Sequence, residues 1–238
     1  MDIQSFYRQV QTELFKLPGK ENPSERSWVQ KYLGSNKPTR CIKTDLIRQL
    51  AKKTAKANPL NINELVELID KLYSEASTFE ETSFAASLIG FYPKIISQIP
   101  LNKFDYWLTF THGWAEVDSL CSSDVSAEIM LENFPNWSKF LKKLSTSKNI
   151  NQRRASIVFL CKPLRQSSNL KLANLSLELV EKLKFETDIL ITKAVSWILR
   201  SMVKNFPSIV REYLETQGLT LPRLALRETR RKIETGKK

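Results

Sequence analysis

The sequence predicts an all-α protein with a single domain over residues 1–238, and three observations indicate this class. Hydrophobic residues make up 42% of the chain and charged residues 26%, the composition of a folded globular protein rather than a disordered one. Only 6 glycines occur, and no run of alternating β-branched residues lies between turn signals, which argues against a glycine-rich phosphate loop, a Rossmann unit or a β-sandwich. The apolar residues instead recur with the period of a helix.

Apolar residues at helical spacing mark the elements in order from the N-terminus. The first predicted helix runs from Ile3 to Leu17 and ends at Pro18-Gly19. A second, short helix starts after Asn22-Pro23-Ser24 and reaches Leu33, and the run from Gly34 to Pro38 is a loop. The further predicted helices cover residues 44–57, 61–73, 78–91, 114–133, 136–145, 149–164, 169–184, 188–204 and 207–215.

An aromatic residue followed by proline recurs three times at the start of a predicted helix. The prolines, Pro93, Pro135 and Pro207, are 42 and then 72 residues apart, one period and about two. Helical pairs of the HEAT type have a period of about 40 residues. Proline suits such a step because it ends one helix and is accepted at the first position of the next. We therefore predict a HEAT-like helical-repeat solenoid, an α-α superhelix.

The chain is strongly basic, with 37 Lys and Arg against 25 Asp and Glu, a formal net charge of +12 and a pI near 9.6. This excess indicates a polyanionic partner, and nucleic acid fits best because a basic surface gains affinity by releasing the counterions condensed on phosphates. A membrane surface is the rival partner. No stretch of 18 apolar residues and no secretory signal pattern occurs. We expect a monomer in the cytoplasm, associated with the nucleoid in a bacterium.

The basic C-terminal tail, about residues 224–238, adds to this field. We expect a solvated cationic terminus there rather than a dedicated nucleic-acid arm.

The sequence contains few of the residues that bind metals or act as nucleophile and base, with three cysteines and one histidine. Cys41, Cys121 and Cys161 are odd in number and far apart, so neither a disulfide framework nor a CxxC metal site is available. His112 is the single histidine, and its neighbour Gly113 gives it the look of a loop residue rather than an oriented base. We expect neither a metal nor a cofactor.

Three chemically distinct residues stand about one repeat apart: Asp118, Arg154 and Trp197 are separated by 36 and 43 residues. Residues one period apart occupy equivalent positions in successive layers of a solenoid, so we expect all three on one surface, the basic concave face. Trp114 precedes Asp118 by one helical turn, which aims an indole and a carboxylate at the same spot.

A carboxylate on a surface that binds phosphates is electrostatically out of place, which suggests a chemical role. It can stabilise positive charge on a deoxyribose as a base departs, as glycosidase carboxylates stabilise an oxocarbenium-like transition state. The indoles attract a cationic base or sugar, and Arg154 can hold a flanking phosphate. Further positive charge near these positions comes from Lys148, Arg153, Lys162, Lys193 and Arg200.

Each of these residues also has a simpler structural interpretation. Trp114 and Trp197 could fill the space between helices, as tryptophans in apolar helices usually do. Arg153 and Arg154 could form a surface pair at a helix start, and Asp118 could be an ion-pair partner of Arg154. Their common register on a basic repeat protein favours the functional interpretation.

Three segments, residues 114–119, 152–159 and 193–200, resemble the AlkD-like DNA alkylation repair glycosylases, a family of HEAT-like repeats. The likeness extends from Lys31-Tyr32-Leu33 to Asn205-Phe206-Pro207. It implies an enzyme that excises positively charged alkylated purines, such as N3-methyladenine and N7-methylguanine, from double-stranded DNA without metal or cofactor.

The resemblance also assigns roles to single residues. It implies that Asp118 is the catalytic carboxylate, that Trp114 and Trp197 embrace the deoxyribose of the lesion, and that Arg154 contacts a phosphate. Tyr32 matches a DNA-contacting tyrosine. The family does not turn the damaged base into a pocket, unlike most glycosylases.

One position departs from the family pattern. Gly113 stands where members commonly carry a bulky residue, often a second tryptophan, and we expect it to loosen the start of the helix and to affect substrate range and rate. Two other functions stay open: a non-catalytic HEAT-like module that binds distorted or branched DNA, and a protein-interaction scaffold on which the charge is incidental.

Overall fold

The structure, a computed structural model, describes residues 2–122 and 125–237. These residues form α-helices, one short 3-10 helix and no strand, which confirms the predicted all-α class. The chain divides into two compact units, residues 1–124 and 125–238, and each unit has its own buried apolar residues.

The first unit is built around α-helices whose apolar sides meet in one core. Its helices are α1 (Ile3–Lys16), α2 (Pro23–Leu33), α3 (Thr44–Ala57), α4 (Ile62–Ser74), α5 (Phe79–Ile89), α6 (Pro93–Ile96), α7 (Leu101–Thr109) and α8 (Gly113–Ser122). Helix α5 packs against α3, α4 and α8, and its side chains Phe84 and Leu88 are fully buried. Asn61 starts α4 with a capping box: its side chain accepts from the Glu64 amide, and the Glu64 side chain accepts from the Asn61 amide.

Helix α2 differs from its neighbours because none of its residues is buried. Asn22 caps its start through the Ser24 amide, and Gly34 ends it with a positive φ of 70°. The helix lies against α8. With so little apolar burial of its own, α2 depends on that neighbour for its position.

The second unit repeats the pattern of long helices packed in pairs. Its helices are α9 (Ala127–Glu132), α10 (Phe134–Ser145), α11 (Ile150–Gln166), α12 (Leu170–Leu183), α13 (Ile189–Met202), α14 (Pro207–Gln217) and α15 (Arg223–Thr235), with a 3-10 turn at Gly218–Thr220. Helix α13 packs against α11 on one side and α15 on another. Leu160, Ala194 and Leu199 are among the fully buried residues between these helices.

Most helix predictions are confirmed, and the proline steps account for several of the boundaries. Pro93, Pro135 and Pro207 each lie in the first two positions of a helix, as the repeat pattern predicts. The continuous helix predicted over 114–133 is wrong, because α8 ends at Ser122 and Ser126 caps a new helix through the Ile129 amide. Part of that predicted helix, residues 123 and 124, lies outside the described residues.

Two helices were not expected from the sequence. Helix α7 follows Pro100 in a segment for which no helix was predicted. The expected solvated tail at about 224–238 instead begins as helix α15, which packs against α13 through buried Ala225 and Thr229. The apolar positions of α15 are few and its basic ones many, which is why composition alone indicated a tail.

Candidate active site

Helix α8 presents Trp114 and Asp118 on one face. Their neighbours Ala115, Glu116 and Val117 are buried, whereas Trp114 and Asp118 are each half-buried. A spacing of four residues places them about one turn apart on the helix. The simpler interpretation placed the Trp114 indole inside the core. The structure leaves this indole partly exposed.

Three aromatic rings form a cluster at the surface of the first unit. Tyr32 stacks on Trp28 with ring centroids 5.6 Å apart and an interplanar angle of 4°, and it meets Trp114 edge to face at 5.5 Å. The Trp114 indole N–H donates to the Tyr32 carbonyl at 2.7 Å. Trp28 and Tyr32 are 66% and 59% exposed, an unusual state for large rings and one that marks interaction surfaces. We call Trp28, Tyr32 and Trp114 the ring cluster.

Sequence reasoning named Tyr32 and Trp114 but not Trp28 as a functional residue. The signal was present, since Trp28 and Tyr32 are four residues apart in a helix whose other positions are mostly polar. Because no residue of α2 is buried, both rings lie at the surface.

Gly113 has a structural reason that the sequence did not reveal. It begins α8 with a φ of 70°, and a Cβ at this position would lie 2.4 Å from the Gly34 carbonyl oxygen and 2.6 Å from that of Leu33. A side chain would clash with backbone atoms that cannot move aside. Gly113 therefore lets α2 and α8 approach closely. The start of α8 is packed tightly against α2, whereas the sequence led us to expect a loosened start.

A buried carboxylate, Glu116, holds the loops around the ring cluster. Its side chain is 0% exposed and accepts from the Ser35 hydroxyl, from the Lys37 ammonium at 3.0 Å and from the His112 amide at 3.3 Å. Lys37 also donates to the Phe110 carbonyl at 2.7 Å. Glu116 is thus a positioning residue for the start of α8. Sequence reasoning missed it because its partners are up to 81 residues away.

The surroundings of His112 lower the pKa of its imidazole. Burial lowers its pKa below the usual value, the neighbouring Lys37 cation lowers this pKa further, and Glu116 opposes both effects. His112 lies directly before the first residue of α8, in the loop position expected for it.

Arg154 lies within the second unit as a buried residue on α11. It is only 4% exposed, and its guanidinium donates to the Leu190 carbonyl in the first turn of α13. The bond ties α11 to the helix that carries Trp197.

Arg153, which is predicted from the sequence to contact DNA, makes several contacts within the protein. Its guanidinium forms a two-bond ion pair with Glu186, at 2.8 and 3.0 Å, and donates to the carbonyls of Ser147 and Lys148 at 2.8 and 3.1 Å. These bonds engage all three of its nitrogen atoms. Arg153 therefore links the turn before α11 to the segment that follows α12.

One side of α13 presents Lys193, Trp197 and Arg200. Lys193 is exposed, and Trp197 and Arg200 are half-buried among neighbours that are fully buried. The spacing of four and then three residues places them along one face of the helix. Arg200 donates to the Ser196 carbonyl at 3.2 Å and forms an ion pair with Glu228 of α15 at 3.4 Å.

The structure thus assembles the candidate residues in two groups. Tyr32, Trp114 and Asp118 belong to the first unit. Arg154, Lys193, Trp197 and Arg200 belong to the second. The common surface that the repeat spacing indicates for Asp118, Arg154 and Trp197 stays a prediction.

Two further features bear on cofactors and partners. Within residues 2–122 and 125–237, no group of three or more His, Cys, Asp or Glu side chains could hold a metal ion. Over the same described ranges, every helix is too short or too polar to cross a membrane.

Comparison with solved structures finds the same fold. A predicted DNA alkylation repair enzyme from Enterococcus faecalis is 19% identical to this chain, with a TM-score of 0.73 over 90% of this chain and 97% of that one. AlkD2 from Streptococcus mutans is 16% identical, with a TM-score of 0.58 over 87% of this chain and 96% of that one. At this identity the likeness is one of fold. Curated protein sequences gave no match.

The sequence also matches a family model directly. The model is described as DNA alkylation repair enzyme and matches residues 15–233, which takes in Trp114, Asp118, Arg154 and Trp197. The match runs through both units. The chain therefore belongs to the DNA alkylation repair enzyme family.

Proposed function

We propose that this protein is a monofunctional DNA glycosylase that removes positively charged alkylated purines, such as N3-methyladenine and N7-methylguanine, from duplex DNA. We expect it to act as a monomer, as one functional domain, and without metal or cofactor. Membership of the repair family supports the substrate class. The observation that carries the proposal is Asp118, a half-buried carboxylate one helical turn from the half-buried indole of Trp114.

Asp118 is proposed to stabilise the sugar as the base departs. The bond between C1′ and the purine nitrogen breaks, and the base leaves with the electron pair. A cationic alkylated base becomes neutral in this step, so it needs no acid to protonate it. Positive charge develops on the deoxyribose, where a nearby carboxylate lowers the barrier. Water then adds to C1′, and its proton passes to Asp118 and on to solvent.

The other candidate residues are proposed to hold the DNA around that sugar. Trp114, fixed by its bond to the Tyr32 carbonyl, and Trp197 present ring faces that attract a developing cation. Tyr32 lies beside Trp114 at the surface and is proposed to contact the DNA.

Arg154, Lys193 and Arg200 are proposed to contact phosphates, which a guanidinium can bind through two parallel hydrogen bonds. Arg153 is left out of this group because its donors are engaged with Glu186 and two carbonyls.

Asp118→Asn tests the chemical role most simply, because it removes the charge and keeps the shape. We expect the single-turnover release of N7-methylguanine from methylated duplex, measured without added metal, to fall about 100-fold or more. DNA affinity should stay the same or rise slightly, since a negative charge is removed from a DNA-binding protein. Asp45→Asn, at an exposed acid in the same unit, is the matched control and should release base at the normal rate.

Other outcomes would assign the protein differently. Normal release from Asp118→Asn would reject the role of the carboxylate. Salt-dependent DNA binding without any base release from wild-type protein would favour the non-catalytic DNA-binding module. A protein that neither binds DNA nor releases base would be an interaction scaffold.

A further inference from the structure

Four arginines line one side of helix α15. They are Arg223 and the residues four, seven and eight positions after it, Arg227, Arg230 and Arg231. This spacing places them on one face of the helix, and all four are exposed. Within the described part of the chain, none of the four forms an ion pair with another residue. We call these residues the α15 arginine face.

The opposite side of α15 is fixed to the second unit. Ala225 and Thr229 are both 0% exposed, and the helix packs against α13. Glu228 accepts from the Ser196 hydroxyl and pairs with Arg200 at 3.4 Å. The α15 arginine face is therefore held in a fixed register next to the helix that carries Trp197, unlike the charges of a mobile tail.

Helix stability does not explain this arrangement. Arg223 is the first residue of α15, where the helix dipole disfavours a cation. Arg227 and Arg231 are like charges at i, i+4 spacing, which destabilise a helix. The chain contains 13 arginines and 24 lysines, yet every cation of this face is an arginine. Arginine is the side chain that binds phosphate through a rigid two-point fork.

The charge of the whole chain is concentrated in the same unit. Residues 1–124 contain 15 Lys and Arg and 15 Asp and Glu, whereas residues 125–238 contain 22 and 10. The formal excess of +12 therefore belongs entirely to the second unit. A partner attracted by charge will meet this unit first.

We propose that the α15 arginine face binds consecutive phosphates of the DNA backbone. From Arg223 to Arg231 the helix rises ~12 Å. Phosphates of one strand follow each other every ~3.4 Å along the DNA axis, so the face spans about three such steps. The inference takes DNA as the partner from the proposed function, but it does not depend on base release.

The double variant Arg227→Gln/Arg231→Gln tests this face through the salt dependence of binding. Affinity for an unmodified 20-base-pair duplex is measured over a series of salt concentrations. The slope of log affinity against log salt should become shallower by about 0.9 for each phosphate that the variant no longer neutralises, about 1.8 for the pair. Arg227→Lys/Arg231→Lys should keep the slope, because counterion release depends on charge.

Arg165→Gln/Arg211→Gln is the matched control, since both are exposed arginines of the second unit and the reduction in charge is equal. Its slope should match that of wild-type protein. An unchanged slope in the α15 double variant would overturn the proposal, and so would an equal change in the control pair. Loss of binding to anionic phospholipid vesicles with DNA binding intact would assign the face to a membrane and also overturn it.

Base release by wild-type protein is measured separately, in single turnover on methylated duplex. If wild-type protein released no base, the proposed function would fail while the slopes still decided the role of the α15 arginine face.

Discussion

The two units of this protein differ in net charge and in the candidate site residues that they contain. The first has no net formal charge and presents the ring cluster with Asp118, whereas the second holds the entire excess of +12. Attraction to a polyanion depends on summed charge and acts over a distance, while a carboxylate acts only where it touches the reacting sugar. We infer that the second unit supplies most of the DNA affinity and the first unit supplies the catalytic carboxylate.

The units also fix their candidate side chains by different means. In the first, a backbone contact between Gly34 and Gly113 and the buried carboxylate of Glu116 set the position of α8. In the second, surface-facing charges are tied between helices, as Arg200 is to Glu228. A methyl group added at Gly113 should therefore disturb the position of α8 directly.

Gly113→Ala should give the largest effect of this kind. The new Cβ would lie 2.4 Å from the Gly34 carbonyl oxygen, and the backbone of the alanine would have to adopt a φ of 70°. We expect the free energy of unfolding of the first unit to fall by about 3 kcal/mol, measured by urea denaturation followed by tryptophan fluorescence. Gly34→Ala should cost less, since its nearest contact would be 3.2 Å away.

Gly236→Ala separates the close contact from backbone strain. Gly236 has nearly the same φ of 68°, but no described atom lies within 4 Å of a Cβ placed there. It should cost about 1 kcal/mol or less. Equal destabilisation by Gly113→Ala and Gly236→Ala would show that the close approach of α2 and α8 contributes nothing.

Replacing one indole in each unit should give a smaller effect, and a similar one in both. A ring that attracts a developing cation contributes about 0.5–2 kcal/mol, so Trp114→Ala and Trp197→Ala should each slow single-turnover base release about 2- to 30-fold. Phe185→Ala, at a ring that is 71% exposed in the second unit, should have no effect. Normal release from both tryptophan variants, at full folded concentration, would make them packing residues only.

The pH dependence of stability should show the smallest effect and should report on the first unit alone. Burial and Lys37 lower the pKa of His112 in the folded protein below its value of 6.5 in the unfolded chain. The folded state then binds fewer protons, so stability should fall slightly as pH drops below about 6.5. His112 is the only histidine, so His112→Gln should flatten the dependence between pH 5 and 7. A dependence that survives the substitution would exclude this origin.

Local patterns predicted most of the helices and two parts of the site. The proline steps and the Asn caps act within a few residues, so Pro135, Pro207 and Asn169 mark helix starts that the structure confirms. Trp114 and Asp118 share a helix face because of their spacing alone. The family resemblance is likewise carried by short segments, and the family match confirms it.

Contacts between distant residues could not be predicted in this way. In the sequence Glu116 is only an acid in an apolar stretch. Its partners Ser35 and Lys37 lie 81 and 79 residues away along the chain, so no local pattern connects them to it. The need for glycine at residue 113 comes from the backbone of Gly34, which no local pattern reveals. Helix α15 was missed because packing on α13, rather than its own apolar content, holds it in place.

The division of roles between the two units, DNA affinity in the second and the catalytic carboxylate in the first, is tested most directly by one paired measurement on methylated duplex DNA. For Asp118→Asn and for Arg227→Gln/Arg231→Gln, the rate of base release at saturating protein and the salt slope of binding are determined side by side. We expect the first variant to lose base release and keep the slope, and the second to keep base release and show a shallower slope. Two variants that change both quantities in parallel would contradict the division.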